Sequence, residues 1–165
     1  MPDTDRLKLP LLAAAQTQKE VTHNEALALL DAAVLATVVA VAPALVPPAP
    51  APGQCWVVGA NPTGAWAGHG GALAAWTGGG WRFIAPFEGM AVWSLADRAF
   101  ARRESSGWYL GAIIGRYLEL NGQQVVGRRS PAIADPAGGA TIDSEARGVV
   151  TAVLNALRGH GLIES

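Results

Sequence analysis

Apolar positions recur at two different periods along the chain, and the change from one to the other sets its organisation. Leu27, Leu30, Val34 and Val38 are spaced by three and four residues, one stripe of an α-helix, while Ala28, Ala32, Ala33 and Ala36 keep the remaining faces slim enough for close packing. Thr22-His23-Asn24-Glu25 has the Thr-x-x-Glu spacing of a capping box and predicts a helix start there. Upstream, Met1 to Gln18 begins polar and then places Leu7, Leu9, Leu11 and Leu12 around Pro10, which reads as an arm. Gln16, Lys19 and Glu20 also suit a helix, so Leu11 to Ala42 reads as one long kinked element or two short ones.

Pro43 to Pro52 is dense in proline, which favours extended polyproline geometry and predicts a spacer. Beyond it the pattern alternates with a period of two. Strands are predicted at Gln54–Val58, Ala72–Trp76, Trp81–Ile84, Met90–Ser94, Ala99–Arg102 and from Trp108 onward to Ile114, separated by glycine-rich turns. Asn121-Gly122, between Tyr117–Leu120 and Gln123–Val126, is the strongest two-residue hairpin signal. Trp76 and Trp81 flank the Thr77–Gly80 turn at a spacing that lets them pair across it. A last helix, Ser144 to Arg158, is predicted with Asp143 as its cap and Gly159 as its left-handed stop. The expected fold class is α+β: an N-terminal helical arm, a small Trp-rich antiparallel β-meander and a C-terminal amphipathic helix. The corresponding divisions are 1–42 for arm and helix, 43–53 for the linker, 54–127 for the β domain and 128–165 for the C-terminal loop and helix.

Composition narrows the function. The 165 residues carry only 15% charged side chains, with a net charge of -1. Basic residues are scattered, which argues against nucleic acid as a partner. The apolar run Ala26–Val46 approaches bilayer-spanning length, but Asp31 and Pro43 interrupt it and alanine supplies much of it, so no membrane insertion is expected. Asp3 and Asp5 spoil the basic start of a signal peptide, and the reading is a chain made in the cytoplasm. Cys55, the single cysteine, rules out an intrachain disulfide and reads as a buried small hydrophobe.

Candidate chemistry is sparse. His23, His69 and His160 lack second ligands at metal-binding spacing, so no metal and no cofactor are expected. Gly59–Gly64 has the gap of a phosphate loop but is followed by Ala65-Trp66 instead of Lys and Ser or Thr. No nucleophile elbow or carboxylate pair is present, so the chain is not expected to be an enzyme. The six tryptophans all lie between positions 56 and 108. Most should fill a core of alanine and glycine strands, but one beside a turn glycine can offer its face to a sugar or a partner. Trp66, His69, Trp76 and Trp81 are the candidate glycan or partner contacts, with Trp66 first among them and Arg82 or Arg102 as hydrogen-bond donors. Leu27, Leu30, Val34 and Val38 are the candidate assembly interface of a homo-oligomer.

Read as a whole, Leu9-Pro-Leu-Leu-Ala-Ala-Ala-Gln-Thr-Gln-Lys-Glu-Val-Thr-His-Asn-Glu-Ala-Leu-Ala-Leu-Leu-Asp31 resembles the opening signature of a domain family of alphaproteobacterial prophages and gene transfer agents. Gly64–Gly71, the Trp76–Trp81 turn and Glu88-Gly89 resemble the middle of that family, and Asp135–Arg147 with the helix running to Ile163 resembles its end. The resemblance implies a virion structural protein of the head-spike or fibre kind. Such a protein sits on the surface of a virion-like particle, docks on capsid or spike and fibre proteins, and promotes attachment to host capsule polysaccharide. With no receptor-binding sequence after the domain, a base or adaptor is expected rather than a sugar-reading tip. The alternative is a small carbohydrate-binding module that uses exposed tryptophans.

Overall fold

The computed structural model describes residues 2–13, 19–141 and 143–164, so Gln16 of the expected helical lead-in lies outside the described residues. The fold is α+β, and the chain divides into two compact units, Met1–Ala112 and Ile113–Ser165.

In the first unit, helix α1 spans Lys19–Ala33 and begins three residues before the expected cap. Thr22 is therefore inside the helix. Glu25 reaches across to a strand rather than back to the helix start, with Arg82 Nε 2.6 and 2.8 Å from its two carboxylate oxygens. The helix stops early because Thr37-Val38-Val39-Ala40-Val41 is a β-branched run that suits extended backbone better than helix. Leu35 turns the chain with a left-handed φ of 47°. The Arg6 guanidinium donates to the carbonyls of Asp31, Ala32, Val34 and Leu35, satisfying acceptors that a helix end leaves free. Val34 and Val38 consequently lie outside the helix, and the expected four-residue stripe does not exist as one face.

Beyond α1 the chain enters a strand bonded along both edges. Thr37–Val38 (β1) pairs in parallel with Ala91–Ser94 (β5), and Trp93, Leu95 and Ala96 donate to Ala36, Val38 and Val39. On its other edge Val39 donates to Cys55, Val57 to Ala40, and Ala42 to Val57. This segment joins two antiparallel stacks. One is Cys55–Val57 (β2), Leu73–Thr77 (β3) and Gly80–Ile84 (β4); the other is β5, Ala99–Glu104 (β6) and Gly107–Leu110 (β7). The expected uninterrupted meander is thus two hairpin stacks bridged by a parallel strand that sequence periodicity assigns to the helix.

Alternation then sorts the side chains. Cys55, Val57, Leu73, Ala75 and Ile84 on one face of β2-β3-β4 meet Ala32, Val38, Met90, Val92, Ala101 and Trp108 in a single interior to which α1 and all seven strands contribute. The opposite face of β2-β3-β4 carries a second cluster around Trp56, Trp66 and Ala74. The proline-rich run does not act as a free spacer. Val46 packs on that second cluster, and Gly53 N–H donates to Trp76 O at 2.8 Å.

The N-terminal arm is a short hairpin, in which Thr4 N–H donates to Leu9 O and Leu11 N–H to Pro2 O. Asp31, only 5% exposed, fastens it to α1 by accepting from Thr4 Oγ1 at 2.8 Å, Arg6 N at 2.9 Å and Leu7 N at 2.5 Å. Asn24 adds a strand-like pair by accepting from Leu12 N–H and donating to Leu12 O. Where the arm crosses Gly53 (φ 85°), a Cβ would sit 3.1 Å from Asp5 Cβ, so only glycine fits the approach without strain.

In the second unit, Leu118–Leu120 (β8) and Gln123–Val126 (β9) pair across Asn121-Gly122, whose φ values of 51° and 75° are those of a primed hairpin turn. This hairpin falls within the second compact unit, Ile113–Ser165. The strand from Trp108 stops at Leu110, before Gly111 (φ 73°), rather than running to Ile114. Helix α2, Ser144–Gly159, is capped as expected, Asp143 accepting from Ala146 N at 2.9 Å. Its left-handed stop is Gly161 (φ 72°) rather than Gly159.

Replacing Asp31 with alanine leaves Thr4 and two backbone N–H groups without an acceptor, and is expected to lower stability by about 2–4 kcal/mol. Urea unfolding followed by tryptophan fluorescence measures this; a loss under about 0.5 kcal/mol would mean the arm is not held by this carboxylate.

Candidate functional site

The second cluster is where the structure gathers the candidate aromatic residues. Trp76 and Trp81 occupy directly opposed positions on β3 and β4, and their rings meet edge to face with centroids 5.0 Å apart. Trp81 is the hub, lying also 5.6 Å from Trp56 and 5.3 Å from Trp66, both near perpendicular. Edge-to-face contact sets the positive ring edge against the negative ring face, which stabilises such pairs beyond their burial. A 3₁₀ turn at Gly64–Trp66 drops Trp66 onto the hub. The next turn, with His69 N–H donating to Trp66 O, sets the His69 ring over Phe83, stacked at 3.6 Å and 5°.

Trp66, the leading candidate for ligand contact, is only 2% exposed and so works as core. Trp76, Trp81 and Phe83 are half-buried and His69 is exposed, so the part of the cluster that meets solvent is the strip His69–Phe83–Trp81–Trp76. Sequence reasoning missed Phe83, although its place two residues after Trp81 on one strand puts it on the same face. Arg82 points to the other face and pairs with Glu25, and Arg102 pairs with Glu104 at 2.7 Å on β6. Neither supplies the strip with the expected hydrogen-bond donor.

The candidate assembly residues separate. Val38 is fully buried in the chain's own interior and is unable to meet a partner. Leu27 is half-buried, while Leu30 (52%) and Val34 (44%) are exposed. Leu30 lines an open apolar groove of about 470 Å³ between α1 and β4, with Ala26, Leu29, Ala33, Phe83 and Ile84.

Several of the described carboxylates and hydroxyls already have partners within the fold. The groove of about 420 Å³ beside α1 collects Asp3, Asp5, Glu25 and Asp31, but Asp31 holds the arm and Glu25 holds Arg82. Ser94, buried, donates to Asp97 at 2.5 Å. Among the described residues no cluster of three or more His, Cys, Asp or Glu is arranged to hold a metal ion. No described helix is long and apolar enough to cross a membrane. His23 lies within α1 rather than at its cap, and His160 is the C-cap of α2.

A family profile described as "Protein of unknown function (DUF2793)" matches residues 23–109. The chain belongs to this family. The DUF2793 match runs from α1 through β7, so it takes in the helix, both bridged stacks and the aromatic cluster, and stops short of the second unit. No curated protein matches the chain.

Cys55 lies 1% exposed in the interior of the DUF2793 region, and burial pushes its thiol from 9.0 up to about 11. The folded state thus favours the neutral thiol. That contribution is fully present below about pH 9, where the unfolded thiol begins to ionise, and is lost as pH rises toward 11. The stability difference between the wild type and Cys55→Ala, measured by urea unfolding, is expected to be constant from pH 6 to 8 and to shrink between pH 9 and 11. Rapid reaction of the native thiol with Ellman's reagent at pH 8 would contradict this burial.

Proposed function

We propose that the chain is a non-enzymatic structural protein of a phage-like particle, of the prophage or gene-transfer-agent kind. In this reading it is the base or adaptor of a head spike or fibre. It is made in the bacterial cytoplasm, docks on capsid or spike and fibre proteins at the particle surface, and promotes attachment to host capsule polysaccharide. The resemblance of Leu9–Asp31 to the opening of such proteins supplies the assignment. The observation that carries it is what that signature does within the fold. Asn24 pairs with the backbone of Leu12, Glu25 with Arg82, and Asp31 with Thr4, Arg6 and Leu7, so these three polar side chains of the signature are used to fasten the domain together. Such use of polar groups suits a scaffold that must hold its shape on a particle. Exposed Leu30 and Val34 beside the apolar groove supply a surface for docking.

One observation favours the carbohydrate-binding module as a second reading. The exposed His69 ring stacks on half-buried Phe83, and the row continues into half-buried Trp81 and Trp76, so solvent-facing aromatic rings are available to a sugar.

Particles assembled with Leu30→Asp and Val34→Asp are expected to lose spikes in electron micrographs and to adsorb poorly to encapsulated cells, while the purified variant unfolds at the wild-type midpoint. Intact spikes on particles from which the whole chain has been deleted would overturn the reading. Direct binding of purified chain to capsule polysaccharide, abolished by Trp76→Ala, would favour the second reading instead.

A further inference from the structure

The interior of the first unit has a mouth, and a cation stands in it. Strand alternation puts Arg103 on the same side of β6 as Ala101, which is fully buried, so this arginine turns toward the space between the two stacks. It lies directly opposite Trp108 on β7, whose ring packs on the interior and whose Nε1 donates to Gly71 O at 2.8 Å. Arg102 and Glu104, on the other side of β6, pair with each other. Arg103 has no carboxylate partner among the described residues, whose ion pairs join Arg82 to Glu25, Arg102 to Glu104 and Arg158 to Asp135. An inward-turned charge without a counterion costs the fold free energy.

The cleft at this mouth measures about 410 Å³, within the roughly 300–1,000 Å³ of small-molecule sites. Val41, Val57 and Trp108 give it apolar walls, bare backbone at Gly70 and Gly71 completes them, and no Asp or Glu lines it. The backbone walls touch: a Cβ on Gly70 would lie 2.7 Å from Ala60 O. The guanidinium reaches the rim, since a Cβ on Gly107, which also lines the cleft, would meet Arg103 Nη1 at 3.7 Å. Beside it Ser106 Oγ and Tyr109 OH lie 2.8 Å apart, and whichever hydroxyl donates, the O–H of the other is left for a third partner.

We propose that this cleft binds a small organic monocarboxylate, its carboxylate held by the Arg103 guanidinium and its uncharged body lying against Val41, Val57 and Trp108. Charge sets the class of ligand. A lining with one cation and no acid attracts an anion, and the planar fork of arginine matches the two oxygens of a carboxylate. One positive charge balances one negative charge, so a dianionic phosphate stays half unpaired here. The apolar walls favour an uncharged body on the rest of the ligand. The cleft shares no residue with the aromatic strip or with the apolar groove at Leu30, so this binding is independent of both the particle reading and the sugar reading.

Benzoate is the probe, titrated into the isotope-labelled full chain and followed by NMR. The amides of Gly70, Gly71 and Gly107 and the Trp108 indole N–H are expected to move together and to saturate with a Kd on the order of 1 mM. Benzamide, the same shape without the charge, is expected to bind at least roughly tenfold more weakly, and Arg103→Gln to weaken benzoate by a similar factor at an unchanged urea midpoint. Should Arg103→Gln fail to fold, the comparison of benzoate with benzamide on the wild type decides alone. Equal binding of the two probes, the same shifts from inorganic sulfate, unchanged benzoate affinity in folded Arg103→Gln, or no movement of these signals up to about 50 mM benzoate would overturn the proposal.

Discussion

The first unit depends on one short run of backbone. Residues 36–42 are hydrogen-bonded along both edges, to β5 on one side and to β2 on the other. Each antiparallel stack taken alone is three strands with an apolar face to cover. The shared strand turns those two faces toward one interior, and Val38, fully buried, sits at its centre. This placement organises everything on the rim. Helix α1 ends where it must feed that strand, the arm folds back to fasten the helix end through Asp31 and Arg6, and the proline-rich run descends over the outer face of β2-β3-β4. Small side chains at Ala32, Ala75 and Ala101 let the elements approach closely, which is why so alanine-rich a chain still closes an interior.

Local chemistry made much of this legible. The Asn121-Gly122 and Thr77–Gly80 turns, the opposition of Trp76 to Trp81, the Asp143 cap and the alternating strands all arise from interactions within a few residues of one another, and sequence carries such interactions directly. Long-range pairing was not legible. Val34 and Val38 extend the helical period of Leu27 and Leu30, yet the β-branched run from Thr37 to Val41 pairs with strands more than ten residues away, and that pairing overrides the period. Thr22 and Glu25 match a capping box, but Arg82, distant in sequence, takes the glutamate. Trp66 reads as a surface ring because it lies just after a turn glycine. The 3₁₀ turn there points inward, and nothing local to the residue announces that Trp81 waits beneath it.

The two units use their residues in opposite ways. In the first, Asp31, Glu25 and Asn24 are paired within the unit, and an aromatic strip and an apolar groove face solvent. In the second, the helix keeps its arginines on its own loop and presents its valines outward.

Native-state hydrogen exchange tests the role of the shared strand most directly. If residues 36–42 unite the two stacks, the amides of Val39, Val57, Trp93 and Leu95 exchange only through global opening, and protection in β2-β3-β4 and in β5-β6-β7 is lost at one common free energy as denaturant rises. Loss of protection in one stack while the other stays closed would contradict the account.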